Sequence, residues 1–451
     1  MSVSVRPAPA KVRDYAFPGF ERHTLSNGLG VLVAPVHKLP FVTIHALVDA
    51  GGESDPPGKA GLASLAALLL TEGAGALDAI SLTERTELLG ASLTASAEWD
   101  SASVTVSVMS QRFDAALATL GDVIMRPAFP ERELARLKGE RLAELLQMRT
   151  EPRSLADEMF SALLYDASSR YSQPLGGWES SVREITLDDV RNFHATRYSP
   201  ATTWLLVVGD IGIAEVLASA ERVFGGWRGS RARKPVLLAS AAQSVGRFHL
   251  VARDGAPQSE LRVGHVGLAR SNPDYFDVVV MNAILGGLFS SRINLNLRER
   301  RGYTYGAFSH LDWRHAAGPF VVATAVRSDV TAESVREVLK EIDRIRAEPA
   351  GDDELSLAVN YLMGVFPIRF ETTAAIAGAL SAIVTYDLPP AYFDRYRADI
   401  GGVTIERVQK AALQHLKPEE LQVIVVGDPA TVRGQLDELS EGTLAITDAP
   451  D

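Results

Sequence analysis

The 451-residue sequence predicts an α+β fold of two tandem homologous domains, each a mostly antiparallel sheet covered by helices on one face. Three observations carry that expectation. First, residues 185–210 and 403–428 align without a gap at an offset of 218. Identities fall at Thr186/Thr404, Val190/Val408 and Pro200/Pro418, and in the Val-Val-Gly-Asp tetrads at 207–210 and 425–428. Length alone would suggest about three domains, but a long internal repeat argues for duplication of one unit. Second, Ser103-Val104-Thr105-Val106-Ser107-Val108 alternates with period two, as a strand with one covered face does. Third, long helical stretches separate the strands, the pattern of helices layered on a sheet.

Each repeat copy reads as an amphipathic helix, a proline-containing turn, an apolar strand and a Gly-Asp turn. Along the chain, apolar runs predict strands at 31–34, 41–48, 92–108, 205–208, 320–326 and 423–426. Helices are predicted at 130–148, 155–164, 275–285, 332–347 and 352–365. A weaker echo of the repeat sets Glu133-Leu134 against Glu354-Leu355. Periodicity breaks in Gly226-Trp227-Arg228-Gly229-Ser230-Arg231-Ala232-Arg233-Lys234-Pro235. Residues 1–228 are therefore assigned to a first domain, 229–235 to a linker and 236–451 to a second domain.

Composition narrows function by exclusion. Hydrophobic residues at 46% and charged residues at 22% permit a large core. A net charge of −11 opposes non-specific nucleic-acid binding, which needs a concentrated positive surface. With no cysteine there is neither a disulfide nor a thiolate ligand. No run of 18 apolar residues marks a transmembrane helix. The first eleven residues hold Arg6 and two prolines but no apolar core, so no secretory signal is expected. The default compartment is cytoplasmic, or periplasmic if a leader has been trimmed.

Two segments stand out. Gly61-Leu62-Ala63-Ser64-Leu65-Ala66-Ala67-Leu68-Leu69-Leu70-Thr71-Glu72-Gly73 follows an apolar strand and reads as a helix covered on all sides. In Leu285-Gly286-Gly287-Leu288-Phe289-Ser290-Ser291-Arg292, continuing to Gly306, a serine at 290 or 291 can cap a helix. Gly302 suits the left-handed residue that ends it, Arg298, Arg300 and Arg301 complement its dipole, and a strand is expected from Tyr303. Gly286-Gly287 lacks the Lys-Ser/Thr of a phosphate loop, and there is no Gly-x-Ser-x-Gly elbow. None of the nine histidines forms an HxH or HxxxH pair. His310 and His315 should fall on opposite faces of a strand or hairpin.

These segments resemble the pitrilysin-type zinc peptidases, the family of mitochondrial processing peptidase, and the resemblance runs through nearly the whole chain. There the first helix reads G-L-x-H-x-x-E-H. On that frame the two zinc histidines become Ser64 and Leu68, the glutamate base becomes Ala67, and Glu144 falls near the third ligand. A hydroxyl, a methyl and an isobutyl group hold no zinc and supply no base. The 285–306 segment resembles the family's G-G-x-x-S-S-R-L…L-R-E-x-x-G-x-x-Y. There an Arg/Tyr pair from the metal-free domain reaches across a chamber to the substrate backbone. Arg298 and Tyr305 match it in type and spacing, and both can donate to a carbonyl becoming an oxyanion. The structural alternative is an arginine paired to an acidic neighbour and a tyrosine packed in the sheet.

The resemblance thus implies a non-catalytic subunit, with no cofactor in this chain. Zinc would sit in a homologous partner carrying H-x-x-E-H, and peptides would be the substrates, held as extended strands at a sheet edge. The rivals are a purely structural subunit, as in bc1 core proteins, and a homodimeric peptide-binding protein.

Overall fold

The computed structural model describes residues 14–230, 239–242, 247–441 and 443–447. Six strands build the first sheet: β1 (Glu21–Thr24), β2 (Gly30–Pro35), β3 (Phe41–Val48), β4 (Ser92–Ala97), β5 (Ala102–Met109) and β6 (Thr203–Gly209), in the order β1-β2-β6-β3-β5-β4. The second sheet comprises β7 (Phe248–Ala252), β8 (Gln258–Val266), β9 (Ala307–Leu311), β10 (Pro319–Arg327), β11 (Gln422–Gly427) and β12 (Leu444–Thr447), in the order β9-β10-β8-β11-β7-β12. Read from opposite ends, β2-β6-β3-β5-β4 and β7-β11-β8-β10-β9 are the same five-strand unit. The sixth place goes to the first strand of the chain in one sheet and to the last in the other. β1 pairs antiparallel to β2, whereas β12 runs parallel to β7. The predicted strand over 92–108 is a hairpin, with Glu98 to Ser101 forming the turn between β4 and β5. Of the expected 229–235 linker, residues 231–235 lie outside the described residues.

The repeated threonines are helix caps in both copies. Thr186 accepts from the Asp189 amide at 3.2 Å, while the Asp189 carboxylate accepts from the Thr186 amide at 2.8 Å. Thr404 accepts from Arg407 N at 3.3 Å. These caps satisfy amides that a helix leaves orphaned, and they start helices Leu187–Arg197 and Ile405–His415. Pro200 and Pro418 then open short 3-10 turns that lead into β6 and β11.

Each sheet carries its own domain's helices on one face. Val104, Val106 and Val108 of β5 are buried with Phe113, Leu117 and Leu120 of helix Phe113–Met125. The opposite face, expected to be uncovered, is covered by a helix from the other half. Helix Pro152–Leu164 lays Leu155, Met159 and Phe160 on Val321, Ile424 and Val426 of the second sheet. Reciprocally, helix Thr373–Thr385 packs on β3 and β6 of the first sheet. There Thr43 and Thr373 share a hydrogen bond of 2.8 Å. Each crossing helix follows the equivalent long helix of its own repeat, Glu131–Met148 or Asp352–Val365. Alternation in β5 could not reveal this, because its second face carries hydroxyls whose hydrogen bonds go to the neighbouring strands: Ser103 to Ser96, Thr105 to His45 and Ser107 to Thr43.

Among the described residues, only the helical run from Tyr275 to Arg300 is long and apolar enough by itself to cross a bilayer, and it is 67% buried inside the protein.

Candidate functional site

The degenerate helix spans Leu62–Leu69 and is positioned by a buried carboxylate. Asp55 accepts from the amides of Gly61 at 2.8 Å and Ala63 at 2.7 Å, and from Arg170 Nη2 at 2.8 Å. It thereby caps a helix whose own N-cap, Gly61, has no side chain. A Cβ at Gly61 would lie 2.5 Å from the Gly176 carbonyl oxygen, and its φ of +93° excludes most other residues.

Ser64 donates to the Leu175 carbonyl at 3.2 Å, Ala67 is buried, and Leu68 is 43% exposed. Positions 64 and 68 share a helix face, and exposure at Leu68 means that face is open to solvent. This corrects the expectation of a helix covered on all sides: the apolar sequence hides a surface that a buried-helix pattern cannot distinguish from core. Glu144 lies on the exposed side of helix Glu131–Met148, 3.4 Å from Arg141, and Glu140 pairs with Arg136 at 2.7 Å. Both belong to the solvated face read from the sequence. Ser64, Ala67, Leu68 and Glu144 provide one carboxylate and no imidazole, which does not fit a zinc centre.

The Arg298 segment is built differently from the sequence reading. Helix Tyr275–Asn282 runs into a π turn at Ala283–Gly287, breaks, and resumes through Arg292–Asn294 into a second π turn at Leu295–Arg300. Ser291 occupies the N-cap position but makes no side-chain cap bond. Asn294 staples the corner instead, donating to Phe289 O at 2.6 Å and accepting from Ala307 N at 3.0 Å. Gly302 has a φ of +65°, as its helix-ending place requires. Arg292 forks onto Glu354 with two contacts of 2.7 Å, and Arg301 reaches Glu337 at 2.6 Å, so these two arginines are structural.

Arg298 stacks over the Phe289 ring at 4.3 Å and lies 3.6 Å from Glu299. Tyr305 is 92% exposed. It precedes β9, which begins at Ala307 rather than at the expected Tyr303. The cause is a Thr304 turn: the Thr304 hydroxyl accepts from Gly306 N at 3.0 Å and is itself tied to Thr324 on β10. A tyrosine packed in the sheet is therefore ruled out. An acidic neighbour for the arginine is present. Phe289 and Phe308 also leave aromatic surface exposed.

Sequence spacing missed a second polar cluster. Glu53, Asp100 and His315 meet where the two halves join, beside a cavity of about 420 Å³ lined in part by Arg22, Asp49 and Trp204. His310 lies on β9 and His315 in the connection beyond it, and the cluster joins that one histidine to two carboxylates distant in the sequence. Partners 215 residues away leave no local signal.

Comparison with known proteins completes the description. Residues 31–175 match the family profile "Insulinase (Peptidase family M16)", and residues 184–362 match "Peptidase M16 inactive domain". An uncharacterized zinc protease of Streptomyces coelicolor is 22% identical over 360 residues, 79% of this chain and 78% of that protein. An uncharacterized zinc protease of Mycobacterium bovis is 23% identical over 91% of this chain and 94% of its own length. The crystal structure of a peptidase M16 inactive domain from Pseudomonas fluorescens aligns with TM-score 0.85 and 26% identity, covering 91% of this chain and 98% of that one. A protease from Helicobacter pylori, 18% identical, shares the fold at TM-score 0.83 over 91% of this chain and all of its own. Both halves match profiles of one family over the duplicated architecture described above, and the chain belongs to peptidase family M16.

Proposed function

We propose that this chain is the non-catalytic subunit of a heteromeric zinc peptidase. It supplies Arg298 and Tyr305 to a partner chain whose helix carries H-x-x-E-H. The observation that carries the reading is the contrast between two segments. The Leu62–Leu69 helix offers hydrocarbon and one hydroxyl where a hydrolase needs imidazoles and a base. Tyr305 is 92% exposed on a corner that Asn294, Arg292 and Thr304 hold rigidly. A solvent-facing phenol on a held corner is free to donate to a developing oxyanion that another chain generates.

The peptide would lie extended against a sheet edge, and among the described residues β4 and β9 are each the last strand at one end of their sheet. Main-chain pairing there gives affinity with modest sequence preference. The contact of Arg298 with Glu299 and Phe289 supports the rival reading of a purely structural subunit for that residue, but not for Tyr305.

Affinity purification from the native cell, followed by peptidase assays on unstructured peptides, tests the proposal. The expected result is a co-purifying H-x-x-E-H chain, with activity that needs both chains and is lost to a chelator. Capture of a stable complex without peptidase activity would support the structural rival. Chelator-sensitive hydrolysis by this chain alone would overturn the proposal.

A further inference from the structure

The seam between the halves holds a constellation that the degenerate helix does not touch. Glu53 follows β3 and Asp100 sits in the β4–β5 turn, each 5% exposed. His315 comes from the connection between β9 and β10. Its Nδ1 lies 3.1 Å from Asp100 Oδ1 and 3.6 Å from Glu53 Oε1. All three donor atoms fall within 4.8 Å of one another.

The other ring nitrogen fixes the tautomer. His315 Nε2 is 2.5 Å from the Thr385 carbonyl oxygen, and a carbonyl only accepts, so Nε2 carries a hydrogen. A neutral ring then aims its Nδ1 lone pair at two carboxylate oxygens, which is repulsive unless a cation or a proton lies between. A four-coordinate ion at about 2.0–2.2 Å from each donor spaces those donors about 3.3–3.6 Å apart, and the observed nitrogen–oxygen distances of 3.1 and 3.6 Å lie just below and at the top of that range. A ring N–H given to a backbone carbonyl is how metal-bound imidazoles are commonly held. Asp100 is oriented as well: its carboxylate accepts from the His315 amide at 3.1 Å and from the Tyr386 hydroxyl at 3.1 Å. A dication would also neutralise two buried carboxylates. Asp100 and His315 line the seam cavity, which gives an ion a route in and a water a place as fourth ligand.

We propose that Glu53, Asp100 and His315 form a divalent metal site, taking zinc, that clasps the two halves of the chain. The site is independent of the Arg298/Tyr305 reading, and it would give this chain a metal of its own where the resemblance implies none.

The test strips the full chain with chelator, dialyses it against trace zinc and measures bound metal. About one equivalent is expected for wild type and for the control Glu144→Gln, and almost none for Glu53→Gln and His315→Ala. Melting in chelator and in zinc is recorded alongside: zinc should raise the melting temperature of wild type and leave that of Glu53→Gln unmoved. Cobalt loaded into wild type should give the visible absorption of a four-coordinate N/O site, a readout that does not depend on any variant folding. Wild type without bound metal would overturn the site and leave His315 as an imidazolium between two carboxylates. Metal retained by both ligand variants, or lost with Glu144→Gln, would overturn it equally.

Discussion

Exchange of helices between the halves should make them unfold as one unit, and Phe160→Ala tests that coupling. Phe160 lies on helix Pro152–Leu164 of the first half and is 4% exposed. Its ring tip sits 2.8 Å from where a Cβ on Gly264 would stand, so the ring rests on bare backbone of β8. Burying such a ring stabilises by about 1.5–3 kcal/mol from transfer alone. The site cannot collapse around a void, because Gly264 has no side chain and β8 is pinned by β10 and β11 on either side. The expected loss is therefore near the top of the about 3–5 kcal/mol seen for buried Phe→Ala. Urea unfolding should be followed by far-UV circular dichroism and by tryptophan fluorescence. Four of the five tryptophans, Trp99, Trp178, Trp204 and Trp227, report on the first half, and Trp313 reports on the second. A Trp313→Phe background separates the two signals. Both probes should move together to lower urea in one transition. A biphasic curve in which only one half shifts, or a loss below about 1 kcal/mol, would refute the reasoning.

Two further outcomes follow from individual residues. Burial pushes His45 down from 6.5 to about 4, and its Nε2 is sealed from solvent with no hydrogen-bond partner among the described residues. The unfolded chain binds that proton more readily, so stability is full above the unfolded value and falls as pH drops from 6.5 toward 4. The loss should be about 2–3 kcal/mol after allowing for partial exposure, and urea midpoints across that range should flatten in His45→Gln. The repeat also has a measurable asymmetry. Gly209 has a φ of +147° and a Cβ there would lie 2.2 Å from the Phe41 carbonyl oxygen, whereas at its counterpart Gly427 it would meet the Ser259 hydroxyl at 2.9 Å. Gly209→Ala should cost about 3 kcal/mol or abolish folding, and Gly427→Ala under about 1.5 kcal/mol. Equal losses in denaturant melts would contradict this.

The duplication was legible because caps, prolines and Val-Val-Gly-Asp strands recur at a fixed offset, and the threonine caps and the proline turns hold the same structural place in both halves. Helix Asp352–Val365 was read to its ends, since Gly351 and Glu354 mark its start locally. Loss of the zinc donors was equally plain, being a matter of residue type at fixed spacing. What failed was whatever depends on residues distant in the sequence. Alternation in β5 identified one covered face of the sheet but not the helix from 373–385 that packs on β3 and β6 at the other. Leu68 read as core because no local pattern distinguishes a solvent-facing leucine from a buried one. Tyr303 read as a strand start because the Thr304–Gly306 turn depends on a hydroxyl from β10. Glu53, Asp100 and His315 were invisible for the same reason, being joined only when the halves close.

The central claim is that Tyr305 and Arg298 act on a substrate in another chain's zinc site, and turnover of the reconstituted complex tests it most directly. Tyr305→Phe removes one hydroxyl from a side chain that is 92% exposed, so folding and subunit affinity should hold. Arg298→Lys keeps the charge and loses the planar fork. If each donor stabilises the oxyanion, kcat should fall about 10²–10³-fold in either variant, with melting temperature and subunit affinity unchanged. If both variants turn over within about twofold of wild type, far short of the loss of an oxyanion donor, the pair is architectural and the structural-subunit reading takes its place.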